Sequence, residues 1–298
     1  SSFVLAPDVE IAFEVNPEDA APAYLAGLAS LGVNRISLGV QSLDEATLRR
    51  LGRGHGAAQG RAAWRATQGA GFDNVNVDLL FGAPEISAQD FSADLRQVLE
   101  WRPAHVSLYG LDIEPGTLFG RDLAVLAWAR AHRDEQAALY LAATRALTEQ
   151  GYVHYEVSNF ALPERQGRQN LLVWEPGNYL GVGLGAHSHV DGLRWSNERR
   201  LPAYLRRLQA GEGPVAHQER LTAVQQANEH LLLSLRQASG LAIAQWEARH
   251  GQVWGAERQA MVERLEREHH AQWDAGVLSL TATGFLLADG ITAELMVP

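Results

Sequence analysis

The chain has 298 residues, of which 46% are apolar and 20% are charged, as in an ordinary globular protein. Its 35 acidic and 25 basic side chains leave a formal net charge of −10, which disfavours nucleic acid as a partner because phosphate binding requires a basic surface. The absence of cysteine excludes disulfides, thiolate metal sites and a cysteine nucleophile within these residues. No apolar run reaches the ~20 residues that a membrane span needs, and no secretory leader opens the sequence, so we expect a cytoplasmic protein.

The first part of the chain repeats one pattern, in which a short β-like run is followed by a helical stretch. The runs are IAFEVNP (11–17), RISLGVQS (35–42), NVNVDLLFG (74–82) and HVSLYGLDIEP (105–115), and the helical patterns lie at about 18–31, 44–51, 57–70 and 88–101. This alternation predicts an α/β fold with parallel strands and crossover helices. Four such units are too few for a complete eight-unit barrel, so the pattern indicates a partial barrel or an open parallel sheet.

The first run would form a mostly apolar sheet edge, because few residues precede it. Proteins usually cover or pair such edges. The sequence also begins with Ser1 rather than Met. We therefore expect that additional strands of the sheet precede this chain.

The remaining sequence changes character twice. A long helical pattern at about 123–149 leads to a strand-like segment, YVHYEVSNFA (152–161), and then to a glycine-rich region. After residue 200, helical patterns at about 202–210, 221–238, 242–251 and 256–275 precede VLSLTATGFLLADG, which predicts a strand, a turn and a last short strand. We expect two domains, 1–200 with the barrel and 201–298 with a small helical or winged-helix-like fold.

Polar residues gather where the predicted strands end, which is where parallel β/α proteins bind ligands. One alternative is that each caps a neighbouring helix, but the coincidence over several strand ends favours a ligand site. Arg53 follows a helix and could reach an anionic group at the barrel mouth, although a solvated arginine is the ordinary alternative. The strand-end residues are Glu14, Asn16, Gln41, Asp78, Gly82, Tyr109, Asp112, Glu114, Glu156, Ser158 and Asn159.

Several longer strings in this order resemble one known family. They are FEVNPED, GVNRISLGVQSLDEATLRRLGRGH, NVDLLFGAP, HVSLYGLDIEPGTLF, GYVHYEVSNFALP and NYLGVGLGAHSH. Together they resemble the radical S-adenosylmethionine (SAM) family of the oxygen-independent coproporphyrinogen III oxidases and their haem-chaperone relatives, HemW. The tail, with LRQASGL and LSLTATGF, is similar to the carboxyl-terminal domain of the HemW branch.

This resemblance implies a partial (β/α)6-type barrel that lacks its first strands and whose mouth holds SAM against a [4Fe–4S] cluster. Glu14, Gln41, Arg53 and Asp78 match positions that bind SAM in the family. A carboxylate or an amide suits ammonium and hydroxyl groups, and an arginine suits a carboxylate. Gly82, in the turn FGAP, would let the backbone approach the adenine side.

Two departures from the family pattern matter. The family holds its cluster with a C-x3-C-x2-C motif, and this chain has no cysteine, so alone it is not expected to cleave SAM reductively. The family's H-N-x-x-Y-W motif aligns with QNLLVW, in which Gln169 replaces histidine, and an amide is a poor haem ligand. His187, His189 and His154 remain open as substitutes. The ordinary alternative for His187 and His189, which follow the glycine-rich string, is that they are surface histidines that bind no ligand.

Three hypotheses follow from these observations. The first is a HemW-like protein that binds haem and delivers it to haem-accepting proteins. The second is an enzyme of porphyrin synthesis that decarboxylates coproporphyrinogen III, although no arginine cluster for its propionates is evident at the strand ends. The third is a binding module that kept the barrel without the radical chemistry. The short tail and the YEVSNFA string favour the first.

Overall fold

The computed structural model describes residues 4–84, 86–113 and 116–298. The chain divides after Gln166 into two compact units, here called the first and the second unit. The boundary expected after residue 200 lies inside the second unit, between strands that pair with each other through Asn197 and Val215. No helix in the described ranges has both the length and the apolar character needed to cross a membrane.

The first unit alternates strands and helices as its sequence predicts. Its strands are β1 (Ala12–Val15), β2 (Arg35–Gln41), β3 (Val75–Phe81), β4 (His105–Gly110), β5 (Val153–Glu156) and β6 (Asn159–Ala161). Its helices are α1 (Pro22–Ser30), α2 (Glu45–Arg50), α3 (Ala57–Gly69), α4 (Ala88–Trp101), α5 (Leu118–Arg121), α6 (Leu123–Ala131) and α7 (Arg133–Glu149).

These strands form one mixed sheet in the order β1-β2-β3-β4-β6-β5. Strands β1 to β4 are parallel, whereas β6 runs antiparallel to β4 and forms a hairpin with β5. The prediction of an α/β fold built as a partial barrel is confirmed. Helices lie between consecutive parallel strands and make each crossover, because a tight turn cannot join two parallel strands.

The two faces of this sheet differ in chemistry because side chains alternate along each strand. One face consists of aliphatic side chains that are fully buried and form the apolar core of the unit: Ile36, Leu38, Val40, Val77, Leu79, Val106 and Leu108. The opposite face, here called the inner face, is polar: Glu14, Arg35, Ser37, Asn76, Asp78, His105, Ser107 and Asn159. Parallel sheets are usually apolar on both faces, so this polarity indicates a ligand surface.

Two predicted elements of the first unit differ from the structure. The helical pattern at about 123–149 is two helices, α6 and α7, which meet at His132. His132 leaves the helical backbone conformation, with φ of −110° and ψ of 20°. Its imidazole stacks on Trp128, and Nδ1 lies 2.8 Å from the Trp128 carbonyl oxygen. The segment at 152–161 is a hairpin, because a turn separates Glu156 from Asn159.

The second unit contains two small sheets and the remaining helices. Its strands are β7 (His187–Val190), β8 (Leu193–Asn197), β9 (Val215–Arg220), β10 (Leu241–Ala242), β11 (Ala271–Asp274) and β12 (Val277–Leu280). Its helices are α8 (Arg168–Trp174), α9 (Leu201–Gln209), α10 (Ala223–Ser234), α11 (Ile243–His250), α12 (Gly255–Arg267), α13 (Ala282–Phe285) and α14 (Ala288–Leu295).

The carboxyl-terminal part of the second unit has the element order of a winged helix, from α10 to β12. Its sheet has the order β10-β12-β11, and Trp246 of α11 is fully buried. The predicted last short strand is wrong, because a helix follows β12 instead. Thr281 caps that helix by accepting a hydrogen bond from the backbone N–H of Gly284 at 3.1 Å.

Replacing Leu79 by alanine tests the apolar face of the sheet. Leu79 is fully buried, so Leu79→Ala is expected to lower the free energy of unfolding by about 2–5 kcal/mol through lost contacts and a cavity. Chemical denaturation followed by circular dichroism measures this change. Leu31→Ala is the control, since Leu31 is 78% exposed and its loss should change stability by less than about 0.5 kcal/mol. Equal effects of the two substitutions would contradict the assignment of the faces.

Candidate functional site

Arg35 occupies the inner face at the amino-terminal end of β2. Its guanidinium is buried, and Nη1 donates to Asn74 Oδ1 at 2.9 Å and to the carbonyl oxygen of Arg165 at 3.2 Å. Burial lowers the pKa of Arg35, and the carboxylates of Glu10 and Asp78 partly offset that effect. These contacts occupy the amino-terminal end of the face, so the carboxyl-terminal end is the natural side for a ligand.

The amide of Asn76 organises the middle of the inner face. Its Nδ2 donates to Ser37 Oγ and to Asp78 Oδ1, both at 2.7 Å. Its Oδ1 accepts from His105 Nδ1 at 2.6 Å and from Ser107 Oγ at 3.1 Å. One side chain thus links β2, β3 and β4.

His105 is neutral and has one defined tautomer. Burial lowers the pKa of His105 well below its usual value, and the positive charge of Arg35 lowers it further. Because Asn76 Oδ1 can only accept, Nδ1 of His105 carries the proton, and Nε2 accepts from the hydroxyl of Tyr155 at 2.7 Å. The hydrogen bonds therefore run in one direction, from Tyr155 through His105 and Asn76 to Asp78.

Asp78 and Glu14 place two carboxyl groups on this face. Glu14 pairs with Ser37 across β1 and β2, and Ser37 Oγ donates to Asp78 Oδ2 at 3.4 Å. Burial raises the pKa of Asp78 to about 6, and the negative charge of Glu14 contributes to the rise. Glu14 itself is exposed. A cationic or hydroxyl-bearing ligand would stabilise the ionised form of Asp78.

Gln41 lies at the carboxyl end of β2, where the backbone has φ of 63°. The space above Gly39 is filled by polar atoms, since a Cβ at Gly39 would lie 3.3 Å from Gln41 Nε2 and 3.4 Å from Asn16 Oδ1. Glycine thus lets these two amides approach the strand. The side chains of Gln41 and Asn16, both predicted strand-end residues, therefore both lie next to Gly39 near the carboxyl end of β2.

The loop that carries Arg53 is fixed to the same end of β2. His55 Nε2 lies 3.1 Å from the carbonyl oxygen of Val40, and His55 Nδ1 lies 3.1 Å from Glu18 Oε2. Arg53 is exposed, two residues before this buried histidine. Its backbone is therefore held beside the end of the sheet, while its side chain is free to reach a ligand. Sequence reasoning missed His55, although it closes the quoted string LGRGH.

Gly82 follows β3 with φ of 73° and faces helix α7. A Cβ there would lie 3.1 Å from Cγ of Gln136, whose Nε2 contacts the carbonyl oxygen of Gly82 at 3.4 Å. Gly82 also borders a cavity of about 290 Å³ that is lined by Ile86, Ala88, Trp128, His132, Glu135, Gln136, Ala138 and Leu139. Gly82 thus contacts the helical layer through α7. The predicted Glu114 lies outside the described residues.

Asn159 supplies an unpaired acceptor on the inner face. It is paired with Ser107 across β4 and β6, and its buried Oδ1 makes no hydrogen bond within the described part of the chain. A buried acceptor of this kind is costly unless a ligand or a water supplies a donor. Sequence reasoning placed Asn159 at a strand end but missed Ser37, His105 and Ser107, which the alternation of RISLGVQ and HVSLYG could have indicated. It also missed Tyr155, which lies in the later strand-like segment.

Comparisons with known proteins show the family to which this chain is similar. Residues 3–98 match the model of the Radical SAM superfamily. The chain is 34% identical over 296 residues to heme chaperone HemW of Mycobacterium tuberculosis (strain CDC 1551 / Oshkosh), covering 99% of this chain and 73% of that protein. It is 41% identical over 206 residues to heme chaperone HemW of Escherichia coli (strain K12), covering 67% of this chain and 53% of that protein.

The chain belongs to the HemW family of radical SAM proteins. Among solved structures, the coproporphyrinogen III oxidase HemN of Escherichia coli superposes with a TM-score of 0.76 at 23% identity, covering 97% of this chain and 70% of HemN. At that identity the likeness shows a shared fold. HemW membership confirms the family that the sequence strings indicated.

This HemW-family chain offers no ligands for an iron–sulfur cluster. Its 298 residues include no cysteine, and thiolates are the usual ligands of such clusters. In the described ranges, no group of three or more histidine, aspartate or glutamate side chains converges as a metal site. The residues of this chain therefore fit a polar organic ligand at the inner face and do not fit the cluster.

Titration of Asp78 tests the electrostatics of the inner face. Because the pKa is raised to about 6, the folded chain keeps a proton that the unfolded chain has already released between pH ~4 and 6. Stability should therefore fall as pH rises through this window, and Asp78→Asn should remove the fall. The carboxyl carbon shift of Asp78, followed by NMR as a function of pH, should show an inflection near pH 6. Glu14→Gln should move this inflection to lower pH. Glu100→Gln, which removes an exposed carboxylate from α4, is the control and should leave it in place. An inflection near 4 in the unsubstituted chain would refute this picture.

Proposed function

We propose that this chain is a haem chaperone, which binds haem as cargo and passes it to haem-accepting proteins. The support is its membership of the HemW family, since the relatives in Mycobacterium tuberculosis and Escherichia coli are named heme chaperones. HemN supports only the shared fold, so decarboxylation of coproporphyrinogen III has no comparable support.

We further propose that the inner face binds SAM through Glu14, Gln41, Arg53 and Asp78, with Gly82 at its margin. The observation that carries this proposal is the orientation of the Asp78 carboxylate, which accepts hydrogen bonds from Asn76 Nδ2 and Ser37 Oγ on the inner face. Arg35 occupies the amino-terminal end of the same face through its bond to the carbonyl oxygen of Arg165. The ammonium and ribose hydroxyls of SAM are donors that suit carboxylates and amides, and its carboxylate suits Arg53.

The buried Oδ1 of Asn159 supports the same ligand class. This atom needs a donor, and SAM carries donors in its ammonium, ribose and adenine groups. Radical SAM proteins combine this ligand with a [4Fe–4S] cluster, which supplies an electron when bound. Since the residues of this chain lack thiolates, we assign them the binding and orientation of SAM and no radical step.

Substitution of Asp78 or Gln41 tests the SAM site. Asp78→Ala and Gln41→Ala are each expected to weaken SAM binding by about 1–3 kcal/mol, the range for a lost polar contact. Isothermal titration calorimetry measures the dissociation constants. Asp274→Ala is the matched control, because Asp274 is an exposed aspartate of the second unit. Unchanged affinity in both site variants would show that SAM binds elsewhere.

Binding of haem tests the proposed function directly. Titration of the chain with haemin is expected to saturate near one haem per chain, with a Soret band displaced from that of free haemin. Transfer is then measured by mixing the loaded chain with an apo-haem protein and following the Soret band of the acceptor. Absence of saturable haem binding would exclude the chaperone function for this chain.

A further inference from the structure

Two buried side chains, His105 and Tyr155, extend the hydrogen bonds of the inner face away from the proposed SAM site. They are 1% and 7% exposed, and they belong to β4 and β5. Their rings meet edge to face, with centroids 5.5 Å apart and an interplanar angle of 67°. His105 is the first residue of β4 and pairs with Asn76, which precedes Asp78 by two residues on β3. Its ring therefore lies toward the amino-terminal end of the face, away from the open end.

The direction of the Asn76 amide decides which group Asp78 meets. Nδ2 lies 2.7 Å from Asp78 Oδ1, so a donor faces an ionised acceptor. The reverse orientation would bring the amide oxygen to the same place, where it would repel the carboxylate, since both atoms only accept. The two orientations have nearly the same shape, so packing alone does not choose between them. The choice therefore depends on the hydrogen-bonding partners of the amide.

His105 has a fixed role among these partners, whereas Ser37 and Ser107 do not. A serine hydroxyl can donate or accept, so both serines suit either orientation of the amide. His105 Nδ1 carries the ring proton because its Nε2 accepts from the Tyr155 hydroxyl at 2.7 Å. Nδ1 lies 2.6 Å from Asn76 Oδ1, compared with 3.1 Å for Ser107 Oγ. The imidazole therefore holds the amide oxygen on the β4 side and leaves Nδ2 for the carboxylate.

The absence of charge on His105 suits a cationic ligand. Burial lowers the pKa of His105 well below its usual value, and the positive charge of Arg35 lowers it further, so the ring donates while neutral. A lysine or a protonated imidazole could also donate to Asn76, but its charge would repel the sulfonium and ammonium groups of SAM. The neutral ring therefore orients the site without weakening its negative potential.

We propose that His105, held by Tyr155, is a positioning residue of the SAM site. Its Nδ1–H keeps Asn76 Nδ2 directed at Asp78, which fixes one carboxylate oxygen on the sheet and leaves the other lone pairs of the carboxylate for donors of the ligand. His105 itself does not contact the ligand. This inference rests on the proposed binding of SAM at the inner face and adds to that site two residues that act through Asn76.

Substitution of His105 tests this role through SAM affinity. His105→Leu removes the donor and keeps a buried apolar side chain, and it is expected to weaken SAM binding about three- to tenfold, the equivalent of one lost hydrogen bond. His105→Asn is expected to restore the affinity to within about twofold, because its Nδ2 can take the position of Nδ1 and donate to Asn76. Isothermal titration calorimetry measures both dissociation constants.

The titration of Asp78 gives a second readout that needs no ligand. Burial raises the pKa of Asp78, and the hydrogen bond from Asn76 partly offsets that effect. His105→Leu should therefore move the inflection of the Asp78 carboxyl carbon to higher pH, since a lost donor disfavours the ionised form. His105→Asn should leave the inflection near pH 6. A residue that contributed packing alone would change stability without moving this inflection.

Tyr155→Phe is a milder variant that keeps the ring and removes the hydroxyl. It should move the Asp78 inflection in the same direction as His105→Leu, because the ring proton of His105 is then no longer held on Nδ1. The matched control is Tyr152→Phe, since Tyr152 is also buried in the first unit and its hydroxyl donates to the carbonyl oxygen of Pro103 at 2.6 Å. This control should lower stability but leave the inflection and the SAM affinity unchanged.

The possible results separate this inference from the proposed SAM site. If the unsubstituted chain binds no SAM, the proposed site fails, whatever the titration of Asp78 shows. If SAM binds and neither His105→Leu nor Tyr155→Phe changes its affinity or the Asp78 inflection, the SAM site stands and the positioning role of His105 is wrong. Equal shifts of the inflection in Tyr155→Phe and Tyr152→Phe would also overturn this role, because they would show a general effect of lost stability.

Discussion

The buried amide of Asn76 is the interaction on which the first unit depends. Its two donors and its acceptor oxygen engage Ser37, Asp78, His105 and Ser107, so every hydrogen-bonding position of the side chain is used. An apolar residue at this position would remove four hydrogen bonds in a buried setting, which is costly. Asparagine therefore keeps three strands in register and fixes the direction in which the Asp78 carboxylate points.

The polar inner face is possible because the opposite face supplies the apolar core. Ile36, Leu38 and Leu79 alternate with Ser37 and Asp78, so burial of the aliphatic set compensates for polar groups that contribute little net stability. At the amino-terminal end, Arg35 finds partners within the protein. Toward the carboxyl-terminal end, Glu14 and Gln41 remain available. The alternation of side chains along the strands therefore gives the sheet an apolar core on one face and a polar site, open at its carboxyl-terminal end, on the other.

Sequence reasoning predicted the strands and helices of the first unit because their periodicity is local. It did not predict the link between Asn76 and His105, since that contact depends on the register of two strands that are 29 residues apart. The break of the long helix at His132 was also missed, because a change of backbone angles at a histidine marks it and no proline or glycine does. The position of Arg53 depends on His55, whose bond to the backbone of Val40 has no sequence signature.

The two proposed ligands differ in charge, and the inner face suits one of them. SAM carries a sulfonium and an ammonium group, and the inner face offers the carboxylates of Glu14 and Asp78. Haem carries two propionates instead. Since like charges repel, these carboxylates disfavour the propionates of haem as well as attracting the cationic groups of SAM. The proposed SAM site is therefore unsuited to hold haem.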